Sequence, residues 1–376
     1  MCKNITRCKK GGMLLSSDVL ERLCEVHTSG RKAFKRCRRK WWLRDIKNLQ
    51  PKGESSKHLW FGSGFHFALE DYHSYRRFDT PMEAFMAYVD TFTENELPAE
   101  APEMIELAEG MFNHYINYWS PRRDGEFETY YLDGEAQVEV DFVVDLPALS
   151  EDLGVEITYQ GTFDRVVTDP MGDLWVEDYK TAARIDTSKL ETDPQISVYR
   201  WAAESWYGVP FEGVLFTQFR KDVPKPPRIL KSGNLSIAKN QKTTFDLYRE
   251  ELMERYPDGA FPDEYVEMLA HLREKESPEG DDFIRRDQVW RNEAQAYSEY
   301  EHICMEIRDM FDAVENGRIY SNKTRDCSWD CDFRTLCIAM DDGSDWKYIM
   351  DELYEESPPR DAWKEHVYVA AESANG

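Results

Sequence analysis

The sequence predicts an α/β fold, a small sheet flanked by helices, with large helical additions and a cysteine-ligated clasp joining its two ends. Three observations carry that prediction. Residues 157–181 read as two strands around a Pro/Gly turn, Asp193 to Gly208 reads as a capped helix, and three cysteines within residues 327–337 have a distant fourth in Cys37. With 376 residues, 41% of them hydrophobic and 13% aromatic, the chain can bury a large core and lacks the composition of a disordered one.

Taken in order, residues 1–12 hold Cys2, Cys8 and four basic residues, and are expected to be a mobile terminus rather than a metal site. They contain no apolar run ahead of a cleavage site, and no stretch approaches the ~18 apolar residues of a membrane helix, so a cytoplasmic protein without a membrane partner is expected. Residues 14–44 read as helical. Within residues 31–44 there are eight Lys/Arg and no acid, interleaved with Phe34, Trp41 and Trp42. Arg36, Arg38, Arg39, Lys40, Trp41 and Trp42 form a patch suited to phosphates and to unpaired bases, which stack on aromatic faces at ~1–3 kcal/mol each. The competing reading is an amphipathic helix with its tryptophans in the core.

Residues 62–78 predict a second helix, with Phe65, Leu69 and Tyr72 at burial spacing and His66, Glu70 and His73 on an adjoining face. Read alone, that trio could hold zinc, although no HExxH is present. Residues 81–120 are expected to be helical without chemistry. Residues 135–145 alternate as a strand whose acids mark a solvent face.

The central hairpin follows, with Asp169-Pro170-Met171-Gly172-Asp173 as its turn. Period 2 in the second strand puts Leu174, Val176, Asp178 and Lys180 on one face, and the first strand can bring Asp164 beside them. Buried charge of this kind needs partners or work; two carboxylates and an ammonium suit a divalent cation and a hydrolytic reaction. Glu177 is a rival to Asp178 but points to the face opposite Lys180. In the next helix Asp193 is the N-cap, Pro194 the first helical residue and Gly208 the terminator, with Gln195 and Tyr199 sharing a face four apart.

Gly213–Arg220 is expected to be a further core strand. Residues 220–242, basic apart from Asp222 and broken by three prolines, read as an irregular arm in which Arg220 and Lys221 could follow a phosphate backbone. Residues 243–320 read as mainly helical, including a long helix over 289–314 with Cys304 in its core face. Cys327, Cys331 and Cys337 then form a C-x3-C-x5-C group, a strong metal signal for zinc or an iron–sulfur centre. Cys37, in its basic surroundings, is the expected fourth ligand. Such a clasp would be worth on the order of 5 kcal/mol in chain entropy. The tail, 341–376, is acidic.

Charge sets a condition on any partner. Against 47 basic residues stand 72 acidic ones, a net −25 that opposes a polyanion at long range unless basic patches are segregated from acid.

The series GxxDR, D-x-K and QxxxY, formed by Gly161, Asp164, Arg165, Asp178, Lys180, Gln195 and Tyr199, resembles the RecB-like branch of the PD-(D/E)XK nucleases. Gly62, His66, Leu69 and Glu70 match that branch's GxxxHxxLE-type motif. The resemblance implies a restriction-endonuclease-like core with a small mixed sheet, and Mg²⁺ or Mn²⁺ held by His66, Asp164, Asp178 and the Tyr179 backbone carbonyl. It further implies Lys180 orienting the attacking water, with Gln195 and Tyr199 positioning it and the nucleic acid. One cysteine before the core and three after it resemble the iron–sulfur subset, including AddB-type proteins and the CRISPR-associated and phage exonucleases. There the four hold a [4Fe-4S] cluster, although the spacing here has one residue more than the C-x2-C-x5-C form; zinc is the alternative.

The expected organisation is a nuclease core over 61–235, after a basic helical segment over 13–60 and before a helical region over 236–320. A cysteine segment over 321–340 precedes the tail. The expected function is a metal-dependent DNA exonuclease acting on single-stranded or end-opened DNA in recombination or repair, in the host cytoplasm if phage-encoded. The other reading is a non-catalytic nucleic-acid-binding or recombination-assembly protein on the same fold. No GxxxxGK[ST] loop occurs, so a helicase or other motor would be a partner.

Overall fold

A hairpin that splays at one end sets the architecture in the computed structural model, which describes residues 16–53, 57–74, 77–358, 363–364 and 367. The strands used below are β1 (Glu25–His27), β2 (Val138–Asp145), β3 (Thr158–Thr168), β4 (Leu174–Ala182), β5 (Gly213–Arg220) and β6 (Ile284–Trp290). They run in the order β1-β3-β4-β5-β6, with β2 paired to the other edge of β3 in a seven-stranded sheet. The sheet is mixed: β4 is parallel to β5 and β1 to β3, and the other pairings of these strands are antiparallel.

The β3–β4 turn closes where expected, with the Asp173 carbonyl accepting from the Asp169 N–H and Gly172 at φ 90°. From there the β3–β4 ladder runs through Thr168↔Leu174 to Arg165↔Glu177 and stops. On the same edge of β3, β1 pairs with residues 158–160, because β2 occupies the opposite edge. Between these two pairings the sheet is open, and the functional residues collect there.

Helices cover both faces. They are α1 (Ser17–Cys24), α2 (Thr28–Arg36), α3 (Lys57–His73), α4 (Pro194–Tyr207), α5 (Glu293–Glu315) and α6 (Arg334–Asp342), with Pro81–Val89 and Ala101–His114 packed beside α3. One core joins Val166 and Val176 of the sheet to Ile196 and Val198 of α4 and Ile303 and Ile307 of α5. The other joins Tyr179 and Phe219 to Phe61 and Phe65 of α3 and to Phe85 and Phe112. Val176 and Tyr179 thus enter opposite cores, as strand parity requires. α4 is capped as expected: Asp193 Oδ1 accepts from the Gln195 N–H at 2.9 Å, and Gly208 ends the helix at φ 70°.

Three expectations need correction. Residues 14–44 are not continuously helical, since β1 separates α1 from α2. Three residues show no usable periodicity, and their pairing with β3 is long-range. The long helix begins at Glu293 rather than at 289, because 284–290 is the edge strand β6. Its alternation is masked by buried charge: Arg286 and Asp287 are inside, held by side-chain partners. The helix over 62–78 starts five residues earlier and its regular part ends at His73. Arg220 closes β5, and residues 221–242 after it carry no regular helix or strand, as their prolines require. Cys2, Cys8 and most of the tail lie outside the described residues.

Candidate active site

Asp164 stands in the open part of the sheet. Its Oδ2 accepts from the Tyr179 backbone N–H at 2.7 Å, replacing the ladder bond that β3 and β4 no longer make. His66, presented by α3, brings Nδ1 to 3.6 Å from the same oxygen. Burial disfavours the charged imidazolium, but the Asp164 carboxylate outweighs it and holds the His66 pKa above its ordinary value. Burial likewise opposes the Asp164 charge, and His66, Lys180 and the Tyr179 N–H together bring its pKa below the usual value.

The third member was not expected. His66, Glu139 and Asp164 can each offer one ligand atom with all three atoms within 4.8 Å of one another, the one such group among the described residues. Strand alternation assigned the acids of 135–145 to a solvent face, and for Glu139 that is wrong. Its φ is +49°, a left-handed conformation that breaks the pleat between the Val138↔Arg165 and Val140↔Phe163 pairs. The two flanking pairs place Glu139 opposite Asp164, where cross-strand side chains share a face. Burial and the Asp164 charge push the Glu139 pKa up to about 7. Lys364 offsets part of that crowding, with Nζ 3.1 Å from Glu70 Oε2 and 3.5 Å from Glu139 Oε2. No sequence signal marked Glu139, because the helix α3 that covers its face and brings His66 to it is a long-range partner.

On β4, Asp178 and Lys180 share the face of Val176 and meet at 2.7 Å, Oδ1 to Nζ. The second carboxylate oxygen of Asp178 is buried and has no hydrogen-bond partner among the described residues. Burial raises the Asp178 pKa, Lys180 works against that and Asp164 adds to it, with a net upward shift. Gln195 Nε2 donates to the Tyr199 hydroxyl at 2.9 Å and lies 3.5 Å from Asp178 Oδ1, so both α4 motif residues reach the β4 site. Glu177 takes the other face. It is fully buried, accepts from Arg165, Arg286, Thr217 and Tyr179, and has no route to the open site. The Arg of GxxDR is therefore a partner of Glu177, and the Gly of that motif lies under the Phe142 ring, 2.7 Å from where a Cβ would stand.

The donor set fits a hard divalent cation: carboxylate oxygens and one imidazole nitrogen, with a buried carboxylate oxygen still lacking a partner. His66, Glu70 and His73 do not form a trio, because His73 turns to the Tyr115 hydroxyl at 2.8 Å and stacks on Tyr179.

The expected nucleic-acid patch is largely engaged within the chain. Arg36 pairs with Asp330 and Asp326, Arg39 with Asp341, and Lys40 with Asp332; Arg38 lies over the rings of Phe34 and Tyr320. Trp41 is 2% exposed and packs edge-on against Phe34, so it is a core residue and not a stacking platform. Trp42 is half-buried under Lys47. Arg220 pairs with Asp222, and Lys221 lies over Phe61.

Cys37, Cys327, Cys331 and Cys337 all line one cavity of about 380 Å³, together with Arg39 and Asn322. Polar donors face the sulfurs: the Asn322 N–H to Cys37 and the Thr324 N–H to Cys327, each at 3.4 Å, and Arg39 to Cys337 at 3.3 Å. No three of these sulfurs lie within 4.8 Å of one another.

A splayed mixed sheet carrying an acid–acid–lysine set beside a cation-fit group defines a hydrolytic site of the nuclease kind. The chain belongs to the PD-(D/E)XK nuclease superfamily, whose family model matches residues 28–338. No curated protein matches it in sequence. Among solved structures it is similar to one from Eubacterium rectale described as "Putative exonuclease". The TM-score is 0.38 and the identity 11%, over 83% of this chain and 90% of that one. Among the described residues no helix is long and apolar enough to cross a membrane.

Proposed function

We propose that the protein is a divalent-metal-dependent deoxyribonuclease of the RecB-like type, working as an exonuclease on single-stranded or end-opened DNA. The observation that carries this is the convergence of His66, Glu139 and Asp164 in the sheet opening, beside the Asp178–Lys180 pair whose second carboxylate oxygen has no partner. His66, Glu139, Asp164 and Asp178 would hold Mg²⁺ or Mn²⁺. The Tyr179 carbonyl joins them because an extended residue presents its N–H and C=O to the same edge, and its N–H already meets Asp164. The cation would supply an activated water and neutralise charge on the phosphate. Lys180 orients the attacking water and offsets charge developing on the phosphate oxygens. Gln195 and Tyr199 hold the Asp178–Lys180 pair from the α4 side.

The four-cysteine cavity supports a [4Fe-4S] cluster held by Cys37, Cys327, Cys331 and Cys337. N–H donors to sulfur are the surroundings an iron–sulfur centre uses.

End-labelled single- and double-stranded DNA of both polarities, digested with Mg²⁺ or Mn²⁺, tests the reading. Progressive shortening by the wild type and none by Lys180→Ala or Asp164→Ala is expected. Cleavage retained by both variants refutes the assignment. Binding without any shortening by the wild type favours an assembly protein instead.

A further inference from the structure

Lys32 belongs to the basic run of residues 31–44 but not to its six residues expected to contact nucleic acid, yet it reaches the active site. It stands one turn into α2, directly after β1, the strand that fills β3's edge beyond the sheet opening. Its Nζ donates to Gln195 Oε1 at 2.8 Å. An ammonium can only donate, so this contact fixes which way the Gln195 amide faces. The NH₂ is left towards the Tyr199 hydroxyl and Asp178 Oδ1, where it is found.

The other cations on this helix are spent on carboxylates. Arg31 is buried against Glu299 and Glu306, Lys35 pairs with Glu306, and Arg36 with Asp330 and Asp326. Lys32 instead meets a neutral amide, and its side chain is exposed at the mouth of the site. Lys180 is close enough to be felt: although the residue as a whole is exposed, protein packed around its ammonium end lowers the Lys32 pKa, Asp193 raises it, and the Lys180 charge lowers it further. Two ammonium groups therefore flank the Gln195–Asp178 contact, one from β4 and one from α2. Two neighbouring cations, Lys32 exposed and Lys180 half-buried beside an acid-lined cation site, suit two anionic groups joined by a short linkage. Adjacent phosphates of a nucleic-acid strand have that form.

We propose that Lys32 is a second substrate-contacting lysine, which seats the backbone phosphate next to the one being cleaved while holding the Gln195 amide in its working orientation. This rests on the nuclease reading above. It also gives the cysteine cavity a route to the chemistry, since Lys32 and Cys37 stand on α2 and its C-terminal cap.

The test is steady-state cleavage of a fluorescein-labelled oligonucleotide by wild type, Lys32→Ala and Lys32→Arg across a KCl series. Loss of one phosphate contact should raise KM about tenfold and make log(kcat/KM) against log[KCl] shallower by about 0.7. Lys32→Arg, which keeps the charge, should restore the slope. A role in folding alone would shift the unfolding temperature and leave the slope unchanged. Wild-type KM and slope in Lys32→Ala would overturn the proposal. If the wild type cuts nothing, the nuclease reading fails, and anisotropy titrations of the same oligonucleotide decide the question for Lys32. The same loss of slope would support it, and an unchanged slope would overturn it.

Discussion

The Asp164 carboxylate accepts the backbone N–H of Tyr179 at 2.7 Å, at the place where the strands bearing these two residues cease to pair. One bond thereby fixes the distance between the two motifs of the hairpin. It also sets β4 so that Asp178 and Lys180 face α4 while Glu177 and Tyr179 face the opposite core. Adjacent acids in the sequence thus have opposite tasks, one kept for the open site and one locked between arginines.

That division predicts opposite phenotypes for Asp178 and Glu177. Asp178→Asn should abolish cleavage while leaving stability unchanged or raised by up to about 1 kcal/mol, since its surroundings already disfavour the ionised form. Glu177→Gln should cost about 3–5 kcal/mol, because it leaves Arg165 and Arg286 buried with too little negative charge. Urea unfolding and a cleavage assay on the two purified variants decide it. A stable, inactive Glu177→Gln would mean the strand faces are assigned the wrong way round.

Glu139 and Lys364 should act in opposite directions on metal binding. Removing the Glu139 charge deletes a donor, so Glu139→Gln should raise the half-saturating Mn²⁺ concentration at least about tenfold. The Lys364 ammonium competes with a cation for Glu139 and Glu70. Lys364→Ala should therefore lower that concentration several-fold. Calorimetric Mn²⁺ titration reads both without reference to activity. Equal affinities for all three proteins would exclude Glu139 from the cation site.

What the sequence could show follows from how far apart the causes lie. The hairpin, the α4 caps and the facing of Asp178 and Lys180 depend on local propensity and on strand parity, so they were legible. His66 was legible through the resemblance of its motif. Glu139 was not, because the helix that covers its face and brings His66 to it is a long-range partner. β1 and β6 were missed because one has three residues and the other hides two buried charges that only tertiary partners make acceptable. The basic run at residues 31–44 was legible as charge. Its partners, Asp326, Asp330 and Asp341, lie nearly three hundred residues away, and composition cannot show that they neutralise it.

The cysteine cavity gives a prediction independent of catalysis. Protein purified without oxygen should be brown, with iron and acid-labile sulfide each near four per chain, the composition of a [4Fe-4S] centre. Cys37→Ser should lose the colour and lower the unfolding temperature, because Cys37 would be the one proposed ligand outside residues 327–337, tying the end of α2 to that segment. A colourless wild type holding one zinc would replace the cluster with a structural zinc site.

Acid should unfold the protein through the charge network behind the site. Asp124 accepts from Tyr115 and Ser120 and pairs with Arg286, which also holds Glu177. Burial opposes the Asp124 charge, but Arg286, His73 and Arg165 outweigh it and hold its pKa well below the carboxylate range. Asp281, bonded to His114, is shifted the same way, again against burial. A depressed folded-state pKa gives stability that is fully present above the unfolded value of about 3.9 and is lost as pH falls through the folded value. Stability should therefore hold on this account down to about pH 4 and decline below it. Asp124→Asn should cost about 3 kcal/mol at neutral pH and flatten the decline below pH 4, since one of the carboxylates driving it has gone. Urea unfolding of both proteins over a pH series reads the two slopes. Parallel acid limbs would show that Asp124 does not carry the effect, and that the network's charge is balanced elsewhere.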